Sequence, residues 1–341
     1  MPKQVYIAYT GGTIGMQRTP DGYAPACGYL AEQLSALEEL RHPELPTFTI
    51  HEYAPLLDSS NMTPAEWLQI ADDIAAHYDD YDGFVVLHGT DTMAYTASAL
   101  AFMLEGLSKP IILTGSQIPL CEVRNDARDN LVTALLLAAE HPIPEVCLYF
   151  GDKLLRGCRA TKVDAVGFDA FASPNYPPLA TVGITIEVNR RLVRAAPPAD
   201  TSLLVKSLRE ASVGALRLFP GITAEVVRNV LKPPLKGLVL ETYGAGNGPT
   251  DNGEFMAALA EATARGVVIV NCTQCLRGSV DQSEYATGSA LARAGVISGY
   301  DMTAEAALTK LVYLFNRHTG TERVKALMQT DLRGELTARE I

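Results

Sequence analysis

Four short loops hold most of the side chains able to do chemistry: Thr10-Gly11-Gly12-Thr13-Ile14-Gly15, His88-Gly89-Thr90-Asp91-Thr92, Thr114-Gly115-Ser116-Gln117 and Thr242-Tyr243-Gly244-Ala245-Gly246-Asn247. Each joins glycine, which lets the backbone turn sharply and aim N–H groups inward, to side chains that donate or accept hydrogen bonds. A phosphate cradle is one chemistry open to such a loop. A Walker A loop, however, needs Gly-Lys-Ser/Thr, and residues 10–15 contain no lysine. A dinucleotide fingerprint needs G-x-G-x-x-G. Gly11-Gly12-Thr13 does not give it, and the run Gly244-Ala245-Gly246-Asn247-Gly248 meets Pro249 where the last glycine belongs. A glycine turn with capping threonines is the plain alternative for the first loop. Asp91 has one too, as the cap of the helix after it. His88 is of a type suited to base work, but a strand-end histidine with no visible partner is as often structural, so it is not placed in the site. Cys272 and Cys275 form a single C-x-x-C. A zinc ribbon needs a second pair, so these read as two small core residues near a strand end.

Such loops need strands that end at them, because ligands of open parallel sheets bind beyond the strands' carboxyl ends. Short apolar runs at 5–8, 84–87, 111–113 and 146–150 predict buried strands, and 63–76, 92–104 and 125–139 predict the helices between them. Thr63, Pro64 and Glu66 have the types and spacing of an N-cap, an N1 proline and an N3 glutamate. Strands separated by helices mean crossovers and a mostly parallel sheet. A second series follows, with strands at 213–218, 237–240 and 267–271 and helices at 223–231, 254–265, 289–294 and 303–318. Between the two lies a stretch with Arg190-Arg191 and Ala195-Ala196-Pro197-Pro198 and few large apolar residues. The expected organisation is an N-terminal α/β domain over 1–188 carrying the catalytic loops, a linker over 189–212, and a C-terminal α/β domain over 213–341.

Composition narrows the function classes. At roughly 150 residues per domain, 341 residues allow one large or two ordinary domains. Lys plus Arg at 28 against Asp plus Glu at 39 leaves a net charge of −11, and the one basic pair is Arg190-Arg191. Nucleic acids and anionic membrane surfaces, which need clustered cations, are disfavoured as partners. The apolar runs at 135–139 and 267–270 are core-sized, far from the roughly 20 residues that span a bilayer. Met-Pro-Lys-Gln leads directly into Val5-Tyr6-Ile7-Ala8 with no signal-peptide h-region, so a cytoplasmic location is expected. Six irregularly spaced cysteines fit reduced thiols there.

Taken together, the loops resemble the bacterial L-asparaginases. Thr-Gly-Gly-Thr-Ile-Gly near the start is followed about 75 residues later by His-Gly-Thr-Asp-Thr, then by Thr114-Gly115-Ser116-Gln117. Asp58-Ser59-Ser60-Asn61-Met62 and Thr161-Lys162-Val163-Asp164 also fit. So do Gly295-Val296-Ile297-Ser298-Gly299, Asp301-Met302-Thr303 and Lys310-Leu311 in the tail. The resemblance spans essentially the whole chain and is nearest to the cytoplasmic, type I branch. It implies a two-domain asparaginase-like α/β fold, with a larger N-terminal, mostly parallel sheet domain and a smaller C-terminal α/β domain. It implies a site between the amino domain and a neighbouring subunit's carboxyl domain, in a homodimer or homotetramer. The implied reaction is hydrolysis of asparagine to aspartate and ammonia, without metal or organic cofactor.

The resemblance also assigns residues. Thr13 occupies the nucleophile position, and a covalent route splits the difficult hydrolysis of an amide into two steps. Tyr23, within Asp21-Gly22-Tyr23, matches the active-site tyrosine on a segment expected to act as a mobile lid. Thr90, Asp91 and Lys162 match the second catalytic constellation. Lysine serves as a base only where its pKa falls well below about 10.4. Either Tyr23 or the Thr90–Lys162 pair could activate Thr13. Ser59 and Ser60 match the loop that holds the substrate carboxylate, and Asp91 suits the α-ammonium by charge. Without the resemblance, Ser59 and Ser60 read as a turn and Lys162 as a solvated lysine. Asn247 lies in a loop that the family directs to a neighbouring site. Glu241 stands where some type I members carry an arginine for a second, activating asparagine, so such activation is expected to be weak or absent. Glutamine is the rival substrate, since one methylene in a pocket is worth only about 1–3 kcal/mol. A non-catalytic amino-acid sensor on this fold and the ammonia-releasing component of a tRNA-linked amidotransferase are the other readings. The intact set Thr13, Thr90, Asp91 and Lys162 argues against the sensor. The second role would be expected to bring a further amino-terminal domain, whereas this sequence opens on its first strand.

Overall fold

A computed structural model describes residues 3–209, 211–282 and 286–337. The chain divides into two compact units between Ser207 and Leu208.

The first unit runs through β1 (Gln4–Gly11), β2 (Met16–Thr19), β3 (Gly22–Pro25), α1 (Tyr29–Ala36), β4 (Thr47–Leu57), α2 (Pro64–Ala76), β5 (Gly83–Leu87), α3 (Met93–Met103), β6 (Leu104–Glu105), β7 (Ile111–Thr114) and α4 (Ala127–Glu140). It continues through β8 (Val146–Phe150), β9 (Lys153–Arg156), β10 (Thr161–Lys162), β11 (Phe171–Ala172), β12 (Ala180–Val182), β13 (Ile186–Val188) and β14 (Leu204–Val205). Among the described residues, eight strands form one sheet in the order β13-β12-β9-β8-β7-β5-β1-β4. The five strands β4, β1, β5, β7 and β8 pair in parallel, and β9, β12 and β13 extend the sheet antiparallel. The central strands are buried on both faces, which is why their sequences are continuous apolar runs rather than alternations. Parallel pairing also puts the ends of β4, β1, β5 and β7 on one edge. Gly11 lies opposite Leu57, Tyr9 opposite Leu87 and Leu87 opposite Thr114, so the four following loops start at one level.

Helices cover the faces. Val5, Ile7, Tyr9, Val85, Leu87 and Ile112 pack with Leu131, Ala134, Leu135 and Ala138 of α4. In α3 every residue except Tyr95 is buried, so the helix has no polar stripe to read. The Thr63–Glu66 capping box forms as expected, with the Thr63 backbone N–H donating to Glu66 Oε2 at 2.7 Å and the Ala65 N–H to Thr63 Oγ1 at 3.2 Å. The sequence reading did not contain the edge strand β4, the β2–β3 hairpin, α1, or the short strands β6 and β9–β14.

Most of the segment expected as a linker is part of the first unit. The buried Glu145–Arg156 ion pair reaches into it: Arg156 donates to Leu192 O at 2.8 Å, and the Arg194 N–H donates to Glu145 Oε1 at 2.7 Å. Further on, β14 pairs with β6. The linker-like composition reflected a segment whose stabilising partners lie 36 and 49 positions away in sequence.

The second unit contains β15 (Val213–Arg217), α5 (Ala224–Val230), β16 (Gly237–Thr242), α6 (Gly253–Ala264), β17 (Val268–Thr273), α7 (Ala286–Arg293), β18 (Ile297–Ser298), α8 (Ala304–Arg317) and α9 (Thr321–Met328). Its strands form a parallel sheet in chain order. Among the described residues, no helix is long and apolar enough to cross a membrane.

Candidate active site

Close backbone approach brings three of the loops together. A Cβ on Gly12 would lie 2.5 Å from the Gly89 nitrogen, and one on Gly89 would collide with the Ser59 hydroxyl. Glycine is therefore required at both positions, and the loops after β1, β5 and β4 abut. The contact is tightened by Thr92, whose hydroxyl donates to Ser59 O at 2.6 Å. The loop after β7 joins them through Gln117, whose Oε1 accepts from Thr90 at 3.4 Å.

Thr13 opens a single 3-10 turn, Thr13–Gly15, directly after β1. It is half-buried, and its hydroxyl has no hydrogen-bond partner among the described residues. Thr90 is buried and Asp91 follows it at the surface. Lys162 arrives on β10, which pairs with β11, and its Nζ donates to Thr90 Oγ1 at 2.9 Å and to Asp91 Oδ1 at 2.7 Å. The Asp91 carboxylate thus binds Lys162, and α3 has Thr92 at its N-cap position and no side-chain cap, which removes the capping alternative for Asp91. Ser59 is buried and Ser60 exposed on a 3-10 turn that Asp58 caps through the Ser60 N–H. Thr90, Asp91 and Lys162 therefore touch directly, while Ser59 and the Thr13 turn adjoin them through Gly89.

Tyr23 is placed differently. It is 43% exposed on β3, and its hydroxyl donates to Glu122 Oε1 at 2.8 Å. In the second unit, Asn247 bonds Thr287, and buried Asn271 fixes its loop by donating to Gly246 O at 3.0 Å. The C-x-x-C holds no disulfide. Cys272 is buried, which pushes its thiol up to about 12, and Cys275 is exposed.

His88 is sealed beneath the loop. It is fully buried, its Nδ1 lies 2.7 Å from Gly89 O and its Nε2 2.9 Å from Thr96 Oγ1, which also accepts from Trp67 at 3.1 Å. Burial lowers its pKa to about 4, so the imidazole is neutral near pH 7 and both its nitrogens are engaged. It shapes the loop from beneath and is closed to solvent.

The sequence reading missed the supports. Asp126 stands at the N-cap position of α4 but does not cap it. Its carboxylate accepts instead from the N–H groups of Gln117 at 2.9 Å and Ile118 at 2.9 Å. Asn130, one turn later, donates to Gly115 O at 3.0 Å. Both residues sit on a stretch correctly read as helix, but nothing in a helical pattern says that a carboxylate there turns backward onto another loop. Among the described residues, no group of three or more His, Cys, Asp or Glu side chains is arranged to hold a metal.

Comparison with known proteins is decisive. The asparaginase N-terminal domain matches residues 4–194, and the glutaminase/asparaginase C-terminal domain matches residues 212–328. The chain belongs to the asparaginase family. It is similar to L-asparaginase 1 of Escherichia coli K12, at 57% identity over 98% of both chains. It is also similar to the 60 kDa lysophospholipase of Mus musculus, at 49% identity over 98% of this chain but 63% of that protein. The crystal structure of L-asparaginase I from Vibrio cholerae superposes with a TM-score of 0.92 at 53% identity, covering 99% of this chain and all of that one. The two-domain asparaginase fold, with its larger, mostly parallel N-terminal sheet, is thereby established, and the chain stands among amidohydrolases.

Proposed function

We propose that this asparaginase-family chain hydrolyses L-asparagine to L-aspartate and ammonia, with Thr13 as the nucleophile. The supporting observation is the convergence of a half-buried threonine hydroxyl that has no partner among the described residues with a Lys162–Thr90–Asp91 cluster, on adjoining loops at one sheet edge. The Thr13 oxygen attacks the side-chain amide carbon while its proton passes to a base. The amide nitrogen gains a proton and leaves as ammonia, giving an aspartyl ester of Thr13. Water then attacks the ester carbonyl, aspartate departs and Thr13 regains its proton. Asp91 uses Oδ1 on Lys162 and is largely exposed, which leaves Oδ2 for the α-ammonium group. Ser59 and Ser60 are suited to the α-carboxylate. Ser59, Ser60, Thr90 and Asp91 lie within four residues of the ends of β4 and β5, which favours a fixed geometry for attack. The working assembly is a homodimer or homotetramer, checked by light scattering.

The test is ammonia release from asparagine and from glutamine by the wild type and by Thr13→Ala, with fatty-acid release from a lysophospholipid as the counter-assay. Release from asparagine by the wild type and its loss in Thr13→Ala is the expected result. A wild type that releases no ammonia rejects the hydrolase reading, and equal rates for the two proteins reject Thr13 as the nucleophile.

A further inference from the structure

The hairpin of β2 and β3 carries Tyr23, and the same hydrogen-bonded pairing sets Arg18 directly across from it. The Tyr23 hydroxyl gives its single proton to Glu122 Oε1 at 2.8 Å. Arg18 closes the triangle, with Nε 3.5 Å from that carboxylate oxygen and Nη2 3.5 Å from the phenol oxygen. Glu122 belongs to the loop after β7, and that loop is strapped to the Thr13 turn. The Leu120 N–H donates to Ile14 O at 3.1 Å, and the Cys121 thiol lies 3.5 Å from Met16 O. Asp126 secures the loop's other end through Ile118 at 2.9 Å. One loop thus braces the residue after the nucleophile and holds the tyrosine's proton.

We propose that Glu122 is a positioning residue for Tyr23, taking the phenolic proton so that the phenol oxygen turns a lone pair toward Thr13 when the hairpin closes over substrate. The proposal rests on Thr13 being the nucleophile. As Thr13 attacks the amide carbon, its proton passes to the Tyr23 oxygen, and the phenol's own proton passes to Glu122, which becomes the neutral acid. Tyr23 then gives a proton to the departing nitrogen while Glu122 returns its own to the phenol oxygen, which restores the carboxylate and the phenol. Arg18 sets a positive charge 3.5 Å from the Glu122 oxygen that accepts from the phenol. The logic is that of any nucleophile–base–orienter series: the third group acts through the second and never touches substrate.

A double-mutant cycle with Glu122→Ala, Tyr23→Phe and the double variant tests this, read as kcat and KM for asparagine together with the pH profile of kcat. Glu122→Ala is expected to lower kcat about tenfold to a hundredfold with KM nearly unchanged, and to have no further effect in the Tyr23→Phe background. Glu122→Asp should regain part of the loss. Glu122→Gln, which cannot take up a proton, should lose the acidic limb that the carboxylate contributes to the kcat profile. Full kcat in Glu122→Ala, or losses that simply multiply in the double variant, overturns the proposal. Thermal unfolding of each variant shows whether a loss is one of folding, and Glu122→Gln, close to isosteric, then carries the test. Thr13→Ala is assayed alongside. Ammonia release by that variant defeats the nucleophile reading itself, whereas an uncoupled Glu122 defeats only this inference.

Discussion

Two lysine–carboxylate pairs, one in each unit, show how the same chemistry serves opposite ends. Lys310 and Glu335 are fully buried, and every strong valence is filled. The ammonium donates to Glu335, to Met328 O at 3.0 Å and to Thr330 O at 2.6 Å, while Glu335 accepts from the N–H groups of Leu332 at 3.1 Å and Arg333 at 2.6 Å. The pair fastens the segment after α9 to α8. Lys162 and Asp91 meet at 2.7 Å, but their side chains are 21% and 66% exposed. The lysine has a third donor left over, and the carboxylate has a whole oxygen. A saturated, sealed pair can only hold structure together. An open pair retains the capacity to bind or to move a proton.

Deleting the two lysines in turn should separate the sealed pair from the open one. Lys310→Met strands a buried carboxylate, and a loss of about 3–5 kcal/mol in unfolding free energy is expected. Much of that should return in Lys310→Met/Glu335→Leu, where no charge is left unpaired. Lys162→Met should cost no more than about 1 kcal/mol of stability, because its pair is half in water. Its ammonia release should nonetheless fall about 10²–10⁴-fold. Denaturant titration and the ammonia assay on the same preparations decide the matter. A Lys162→Met protein as unstable as Lys310→Met would erase the distinction.

His88 belongs with the sealed class, although it stands two residues from Thr90, and pH exposes the difference. Burial lowers its pKa from about 6.5 to about 4. The unfolded chain takes up a proton below pH 6.5 that the folded chain refuses until about pH 4. The associated stability is therefore complete above pH 6.5 and is lost as pH falls through that window, about 3 kcal/mol when fully lost. Unfolding free energy measured from pH 8 to pH 4 should show that decline, and His88→Gln should flatten it. Equal slopes for the two proteins would mean that His88 titrates normally and is open to solvent.

How much of this was legible in the sequence follows from the range of each interaction. The central strands β1, β5, β7 and β8 and the α2 capping box rest on neighbours within a few positions, and their patterns carried them. Thr13, Thr90, Asp91 and Lys162 were singled out because their loops resemble those of a known family, and the structure sets Lys162 against Thr90 and Asp91. That Lys162 reaches Thr90 is a contact across 72 positions, and no local pattern encodes it. Glu122 and Asp126 were passed over for the same reason. Their carboxylates act on Tyr23 across 99 positions, from a loop, and on Gln117 across 9, from the start of a helix. β4 hid because an edge strand needs one good face only, and its half-buried, half-exposed residues form no continuous apolar run.

A third pair lies between the two extremes and should give the smallest effect. Glu241 on β16 is opposite Arg217 on β15, with Oε2 3.6 Å from Nη1, and the side chains are 20% and 63% exposed. The distance is long for a charge-assisted hydrogen bond, and the arginine is largely solvated, so Glu241→Ala should change stability by less than about 1 kcal/mol. Its bearing on regulation is through sign. A carboxylate at this position repels the carboxylate of a second asparagine, and the cation beside it is already turned toward Glu241. The rate of ammonia release should therefore rise hyperbolically with asparagine in the wild type and remain hyperbolic in Glu241→Ala. A sigmoidal wild-type curve that Glu241→Ala abolishes would show that this partly open pair, like Lys162 and Asp91, is used for binding.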